Sequence, residues 1–359
     1  MTLNLIHFNS HQLRLFCRLS FLFVLVSLLS TNNLKAQDPQ FSQYYAAPMY
    51  LNPGLVGINQ IGRAGLNYRN QWPSIDANYV TYSFFIDYFF EDEFSALGLI
   101  VNTDQEGIAG LRSTNIGLQY AYQLNLTDTW TFRPGVEASY YFRDLNFDRL
   151  TFGDQFDNSG QVRPTTGETF DTGFSARFFD LAFGGILYND KMWFGASMHH
   201  VLEPNQAVAG GDAPLPRKFS LHGGYKILFT EINKRARPQG KGRERSMTPS
   251  VNYKQQGSFK QLDVGLYFTL EPILLGAWYR GLPIDGFTST KNSEAIISMI
   301  GINKNNLTIG YSFDYTISDL GIGSGGAHEI SLIYAFDLSD PRKPSREVRQ
   351  LRCPVPFIF

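Results

Sequence analysis

Residues 307–316, Leu-Thr-Ile-Gly-Tyr-Ser-Phe-Asp-Tyr-Thr, alternate large apolar side chains with small or polar ones. The same period of two recurs at residues 115–124 and 261–270. Successive side chains of a β-strand point to opposite faces, so each stretch has one apolar and one polar face. The sequence therefore predicts strands that separate an apolar environment from a polar space.

Extending this pattern along the chain gives candidate strands at 61–72, 77–89, 95–103, 111–125, 129–142, 174–188, 190–201, 217–230, 246–256, 259–269, 272–281, 292–303, 305–316 and 327–338. Their connections alternate between short and long, which is typical of an outer-membrane barrel with short inner turns and long outer loops. We therefore predict an all-β fold, a transmembrane antiparallel β-barrel of about 14 strands, located in a Gram-negative outer membrane.

A soluble β-sandwich or lipocalin-like fold is the alternative, because antiparallel sheets with one wet face also alternate. The chain has no linker that would divide it into two sandwiches. Aromatic residues also fall near strand ends, as an interfacial girdle would place them. These residues are Tyr79, Tyr88, Trp130, Tyr140, Tyr188, Trp193, Tyr253, Trp278 and Tyr334. Both observations favour the membrane barrel.

The composition excludes other classes of protein. The formal net charge is −1 and 18% of the residues are charged, whereas an average soluble domain has about 25%. A chain this apolar is not disordered, and it lacks the basic stripe that nucleic acid binding needs. After residue 36 no apolar run approaches the length of a membrane-spanning helix.

The predicted organisation has four parts. Residues 1–36 form a signal peptide, in which Arg14 and Arg18 precede an apolar run and cleavage follows Ala36. Residues 37–60 form an N-terminal periplasmic segment, 61–338 the outer-membrane barrel and 339–359 a C-terminal periplasmic tail. Cys353 is then the only cysteine of the exported chain, so no internal disulfide is expected.

The polar faces of the strands should line the lumen with charges of both signs. The expected lumen residues are Arg63, Arg69, Arg133, Glu137, Lys218, His222, Lys226, Asp263, Arg280, Asp314 and Glu329. A barrel of about 14 strands encloses more space than an eight-stranded barrel, whose own side chains fill it. The lumen could be a channel, a plugged channel or a socket for a partner, and the sequence leaves these open.

We expect no enzymatic activity and no cofactor. The sequence contains neither a G-x-S-x-G nor an H-E-x-x-H motif. His199 and His200 are adjacent, so strand geometry would point them to opposite faces and prevent them from sharing a metal. The acidic loop 144–173 could hold calcium, but a solvated loop that contacts a secreted partner is favoured.

The start of the exported chain carries the most specific motif. It reads Gln37-Asp38-Pro39-Gln40-Phe41-Ser42-Gln43-Tyr44-Tyr45, followed by Pro48-Met49-Tyr50-Leu51-Asn52-Pro53-Gly54-Leu55-Val56-Gly57. This motif resembles the opening of the PorP/SprF family of type IX secretion and gliding-motility outer-membrane proteins of the Bacteroidetes. Its prolines disfavour ladder pairing, so we expect an irregular segment that enters or caps the inner mouth, or one that only holds the first strand.

The resemblance implies a function and partners. Members of this family support the secretion and cell-surface attachment of partner proteins that bear a C-terminal sorting domain. They are also associated with a periplasmic lipoprotein linked to the cell wall. Outer-membrane lipid would surround the barrel. A passive channel or a transporter of hydrophobic solutes is the alternative, because the same strands would serve it.

Three regions are candidates for partner binding: the N-terminal motif, the basic connection 231–246 and the C-terminal tail. The candidate residues are Gln40, Phe41, Ser42, Gln43, Tyr44, Asn52, Pro53, Lys234, Arg235, Arg237, Arg352, Cys353, Pro354 and Phe357. The basic connection could instead be a solvated turn, and the Pro- and Arg-rich tail a disordered end.

Overall fold

A computed structural model describes residues 38–107, 110–146, 150–156, 162, 165–167, 175–229, 244–281, 293–318, 320–338 and 353–356. The predicted signal peptide lies outside these residues, as do Lys234, Arg235, Arg237, Arg352 and Phe357. Within the described ranges, no helix has both the length and the apolar character needed to cross a bilayer.

The described chain contains 14 long strands. They are β1 (Gly62–Gln71), β2 (Tyr79–Phe90), β3 (Ser95–Glu106), β4 (Leu111–Tyr122), β5 (Thr131–Asp144), β6 (Ser175–Tyr188), β7 (Met192–His199), β8 (Lys218–Tyr225), β9 (Arg245–Gln256), β10 (Phe259–Leu270), β11 (Ile273–Gly281), β12 (Ser293–Lys304), β13 (Leu307–Thr316) and β14 (Ala327–Phe336). Two-residue extensions follow β4 at Leu124–Asn125 and β8 at Ile227–Leu228.

Every strand pairs antiparallel with its sequence neighbours, and the sheet closes on itself. Strand β1 pairs with β14 from Gly62↔Phe336 to Gln71↔Ala327. Strand β8 pairs with β9, with Lys218 opposite Gln256. None of the described strands leaves an edge to lipid, which the bilayer requires because it cannot hydrogen-bond a free backbone. The predicted antiparallel barrel is confirmed.

The two faces of the strands differ as the alternation predicts. On β14, Ile330, Leu332 and Tyr334 are 49%, 39% and 51% exposed, whereas Glu329 and Ser331 are buried. The outward apolar residues form the lipid-facing surface. The charged residues predicted to line the lumen are buried inside, and only Lys226 among them is half-buried.

Part of the predicted aromatic girdle is wrong. Tyr188, Trp193 and Trp278 are almost completely buried and lie in the lumen. Tyr188 stands opposite Trp193 across the β6–β7 turn, and it shares its face of β6 with the buried Ile186. Because side chains alternate strictly, nearness to a strand end does not decide which face a residue occupies. Tyr140 and Tyr334 do face outward.

The barrel has two unlike ends. At one end, which we call the short-turn end, residues 91–94, 189–191, 271–272 and 305–306 join consecutive strands. The opposite end, called the loop end, carries the longer connections, including residues 145–174 and 200–217. In outer-membrane barrels the short turns are periplasmic and the long loops extracellular.

Candidate functional site

The N-terminal motif lies inside the barrel. Residues 38–58, which we call the plug segment, run from the loop end of the lumen to the short-turn end, where β1 begins. From Phe41 to Ile58 every residue except Tyr50 is buried. The segment has one helical turn at Pro48–Leu51 and a 3-10 turn at Pro53–Leu55. The predicted irregular segment therefore lies in the lumen, where the strands of the barrel surround it.

Ser42 and Gln43 attach the plug segment to β14. The Glu329 carboxylate accepts hydrogen bonds from the backbone N–H of Ser42 at 2.6 Å and of Gln43 at 3.1 Å. The Gln43 amide also donates to the Glu329 carbonyl at 3.0 Å, and Ser331 donates to Gln43 at 2.6 Å. These contacts join residues that lie more than 280 positions apart in sequence.

Two arginines and one aspartate bind the Ser42 hydroxyl, and a second aspartate pairs with one of these arginines. This hydroxyl accepts hydrogen bonds from Arg69 at 2.8 Å and Arg280 at 2.9 Å, and it donates to Asp314 at 2.6 Å. Arg69 and Arg280 both pair with Asp314, at 2.8 and 3.0 Å. Arg280 also pairs with Asp263 at 3.1 Å. Losing one member of such a buried network leaves an uncompensated charge, which is strongly destabilising.

Asn52 holds the middle of the plug segment against β6, β7 and β8. Its side-chain amide donates to the carbonyls of Gly185 and Ala196, both at 3.0 Å, and lies 3.1 Å from His222 Nε2. Its oxygen accepts from the Gly54 N–H at 2.8 Å and so caps the 3-10 turn. One asparagine side chain therefore fixes the position of the turn relative to three strands.

Glycines in the wall allow the backbone of the plug segment to approach closely. Gly135 on β5 stands opposite Gly184 on β6. A Cβ added to Gly135 would lie 2.4 Å from the Pro53 carbonyl carbon, and one added to Gly184 would lie 2.2 Å from Asn52 Oδ1. Neither strand could carry a larger side chain at these positions without displacing the plug segment.

Arginines on the barrel strands bind backbone carbonyls of the plug segment near the short-turn end. Arg63 donates to the Leu55 carbonyl at 3.1 Å and pairs with Asp87, which also accepts from the Gly57 N–H at 2.7 Å. Arg133 donates to the Val56 carbonyl. These contacts satisfy backbone groups that would otherwise be buried without partners.

Asp38 anchors the start of the plug segment at the loop end of the lumen. Its carboxylate lies 2.8 Å from His200 Nε2 and 2.5 Å from Lys218 Nζ, and it accepts from Gln256 at 2.9 Å. The second His200 nitrogen lies 2.6 Å from Asp180. Burial alone would raise the pKa of Asp38, but His200 and Lys218 hold it well below its usual range. Burial would lower the pKa of His200, but Asp38 and Asp180 raise it to about 9.

The expectation that His199 and His200 face opposite ways is wrong. Both side chains are buried, and their ring centroids are 6.5 Å apart. Strand β7 ends at His199, and His200 has a φ of 57°. This left-handed turn breaks the alternation and brings the second ring inside. Among the residues that the structure describes, no three His, Cys, Asp or Glu side chains are grouped as metal ligands.

Part of the C-terminal tail also lies in the lumen. Residues 353–356 are buried, with Cys353 4% and Val355 1% exposed. They belong to the same apolar cluster as Tyr45, Tyr188 and Trp193. Burial raises the pKa of the Cys353 thiol to about 12. Residues 353–356 therefore lie in the short-turn end of the lumen, which also contains the last residues of the plug segment.

The candidate partner-binding residues that the structure describes are thus engaged within the chain. Gln40 is half-buried, while Phe41, Ser42, Gln43, Tyr44, Asn52, Pro53, Cys353 and Pro354 are buried. The sequence did not identify Asp38, Gly135 or Gly184 as site residues, and it considered His200 only as a metal ligand. The mixed charges of the lumen face were the available indication, because buried charges of both signs need partners.

Similarity to known proteins agrees with this architecture. A family model described as type IX secretion system membrane protein PorP/SprF matches residues 33–334. No curated protein is significantly similar to the chain.

Solved structures that resemble the barrel include the Ralstonia pickettii toluene transporter TbuX, at 11% identity, covering 81% of this chain and 94% of that chain with a TM-score of 0.44. The outer membrane protein Omp33 of Acinetobacter baumannii is 8% identical, with 77% and 100% coverage and a TM-score of 0.38. A mutant Rh. blastica porin is 9% identical, with 77% and 98% coverage and a TM-score of 0.33. At these identities the likeness concerns the fold alone.

Proposed function

The chain belongs to the PorP/SprF family of type IX secretion system membrane proteins, and from this premise we propose that it is a plugged scaffold for a secreted partner. It is a multi-pass β-barrel of the outer membrane. In this proposal the barrel supports the secretion and cell-surface anchoring of a partner that bears a C-terminal sorting domain, and it serves gliding motility. A periplasmic lipoprotein or another cell-wall-linked component binds the inner side.

The plug segment is the observation that supports a scaffold over a channel. A passive pore needs a continuous open lumen. Here residues 38–58 contact strands around the circumference, from Arg69 on β1 to Gln119 on β4, Asn52's partners on β6 to β8, and Glu329 on β14. Opening a path would break these hydrogen bonds together with the ion pairs of Asp38 with His200 and Lys218. A rigid barrel of this kind suits holding a partner at its ends.

The two ends of the barrel suit two different partners. The loop end faces outward and carries the acidic loop 145–174, whose described part contains Asp154 beside Thr166 and Gly167. Long loops on a rigid scaffold commonly bind partners, so the secreted protein belongs at this end. The short-turn end faces the periplasm and is where the lipoprotein or cell-wall component would bind. The flanking ends of β8 and β9 lie at this end, whereas most of the basic connection between them is outside the described residues.

No chemistry is needed for this role. We propose that the protein is not an enzyme and uses no cofactor. Two of the buried histidines have structural partners: His200 holds Asp38, and His222 contacts Asn52. Such contacts fix the plug segment in place.

The test is recovery of the native protein from gently solubilised outer membranes, together with deletion of its gene. We expect a large surface protein bearing a C-terminal sorting domain to co-purify with the barrel, along with a periplasmic lipoprotein. We also expect that surface protein to be lost from the surface of the deletion strain while other outer-membrane barrels stay at normal levels. An unaccompanied barrel and an unchanged surface would contradict the scaffold and favour a passive channel or hydrophobic-solute transporter.

A further inference from the structure

The short-turn mouth of the barrel contains a short peptide from the far end of the same chain. Strand β14 ends at Phe336, and Cys353–Pro356 reappear buried in the lumen. Residues 337–352 separate the two, which is ample length to cross the mouth. The peptide Cys-Pro-Val-Pro carries two prolines, which lack the N–H needed for ladder pairing, and it lies outside the strands, with a turn at Pro356.

The wall around this peptide is aromatic and cationic. Tyr188 and Trp193 face inward beside the β6–β7 turn and are completely buried. The Tyr45 hydroxyl of the plug segment accepts a hydrogen bond from Trp193 Nε1 at 3.1 Å, which fixes both rings. The rings also stack edge to face, with centroids 5.6 Å apart. These two contacts fix the Tyr45 and Trp193 rings relative to each other.

Charged residues ring the same site. The Cys353 thiol interacts electrostatically with Arg133, Lys226 and Arg63. All three lie at the strand ends next to the short turns: Arg63 near the start of β1, Arg133 near the start of β5, and Lys226 just after β8. Arg63 and Arg133 already bind plug carbonyls. Arg63 also pairs with Asp87, and Lys226 pairs with Glu244, so these two charges are already compensated and the site suits an uncharged peptide.

The contacts of this peptide differ in kind from those of the plug segment. Within the part of the chain that the structure describes, Cys353–Pro356 make no hydrogen bond to a barrel strand and are held by apolar burial. Leaving the site would break no strand pairing, because the peptide is outside the ladder. Such a ligand can dissociate while the barrel stays folded.

We propose that the short-turn mouth is a peptide-binding site that recognises an extended, uncharged, proline-containing segment, and that the chain's own tail occupies it reversibly at Cys353–Pro356. A periplasmic protein that carries such a segment has to displace the tail to bind there. This inference does not depend on which protein the barrel helps to secrete, and the failure of either proposal leaves the other standing.

Cys353 provides the reporter, because the only other cysteine of the chain, Cys17, lies in the predicted signal peptide. The measurement is the rate of maleimide alkylation of the full-length folded protein in outer-membrane vesicles. We expect slow alkylation of the wild type. Val355→Asp should accelerate it by at least about tenfold, since a carboxylate is strongly disfavoured in an apolar site. Leu338→Asp adds the same charge to the same tail at a residue that is 71% exposed, and it should leave the rate unchanged.

The second measurement tests whether the short-turn mouth binds an added peptide once the chain's own tail has left it. A labelled synthetic peptide of residues 350–359, with Cys353→Ser, is added to the Val355→Asp protein and to the wild type, and binding is followed by fluorescence anisotropy. We expect binding to the Val355→Asp protein and at least about tenfold weaker apparent binding to the wild type, whose tail competes. Heat-modifiable migration on gels confirms that both barrels are folded.

Three outcomes would overturn the proposal. One is wild-type alkylation as fast as that of the free peptide, which would mean that the tail does not occupy the mouth. Another is a released tail in the Val355→Asp protein without binding of the added peptide. The third is equal peptide binding to both proteins, which would place the peptide elsewhere.

Discussion

The two ends of the chain enter the same lumen and are held there by opposite chemistry. The plug segment is held by directional polar contacts: Ser42 and Gln43 on Glu329, Asn52 on two strand carbonyls, and Asp38 on His200. Cys353–Pro356 are held by apolar burial beside Trp193. Directional contacts to many strands specify one position, whereas burial specifies only an environment. The plug segment should therefore be a fixed part of the fold and the tail an exchangeable one.

Removal of Arg280 should disrupt the polar contacts of the plug segment more than any other change considered below. Arg280→Ala removes the buried ion-pair partner of Asp263 and one of the two arginines that pair with Asp314, and it removes donors to Ser42 and Tyr44. We expect a loss of about 3–5 kcal/mol in the free energy of unfolding. Urea unfolding in lipid vesicles measures it. The control is Arg177→Ala, whose ion pair with Asp144 is about half exposed. This control should cost at most about 1 kcal/mol, and equal losses would refute the assignment.

The Asp38–His200 contact should make the stability of the plug segment depend on pH. The pKa of His200 is raised from 6.5 to about 9. Its contribution is therefore fully present below pH 6.5 and is lost as the pH rises through about 9. The contribution of Asp38, whose pKa is lowered, is present above its ordinary value and is lost only in acid.

The pH prediction is tested with His200→Gln. The variant should be less stable than the wild type by roughly 3 kcal/mol at pH 6, and this difference should shrink toward zero by pH 10. The free energy of unfolding at the two pH values measures the change. A difference that stays constant between them would show that the protonated imidazole does not hold Asp38.

A methyl group in the wall should displace the plug segment sterically. Gly184→Ala places a Cβ 2.2 Å from Asn52 Oδ1. We expect a loss of about 1–3 kcal/mol, because the turn at Pro53–Leu55 has to shift. Gly153→Ala is the matched control, since an added Cβ there meets nothing within 4 Å. Equal losses in the free energy of unfolding for both variants would contradict the close approach of Asn52 to β6.

Changes in the tail should have the smallest effect on the barrel. Val355→Ala removes two buried methyl groups from a residue that is 1% exposed. The docked tail adds only its own binding free energy to the fold, so we expect a loss of about 1 kcal/mol or less. Alkylation of Cys353 should still become faster. A loss as large as that of Arg280→Ala would make the tail a fixed structural element.

The sequence predicts the strands of the barrel much better than it predicts the segments that lie inside the lumen. Alternation in residues 307–316 identifies β13, and the same rule places Asp314 and Arg280 in the lumen. Strand ends are less certain: the predicted strand 217–230 is interrupted at Lys226, which separates β8 from its two-residue extension at Ile227–Leu228. The alternation follows from local backbone geometry, which is why it can be read from the sequence.

The plug segment has no period, and its partners are distant in the chain. Ser42 meets Glu329 across 287 positions, and Asn52 meets Ala196 across 144. No local rule connects these residues. Gly135 and Gly184 look like ordinary strand glycines until the Pro53 backbone is seen against them. The inward Trp193 is a similar case, because its place beside a turn indicated a lipid interface.

Conductance of the full-length protein in planar bilayers tests the central claim, that the lumen is filled by the plug segment, most directly. We predict that the wild type shows no steady conductance, because Asp38 to Ile58 occupy the lumen. Arg280→Ala, which weakens the contacts of Ser42, should show openings. A wild-type protein that conducts steadily, with Arg280→Ala indistinguishable from it, would contradict the plugged scaffold and identify the barrel as an open channel.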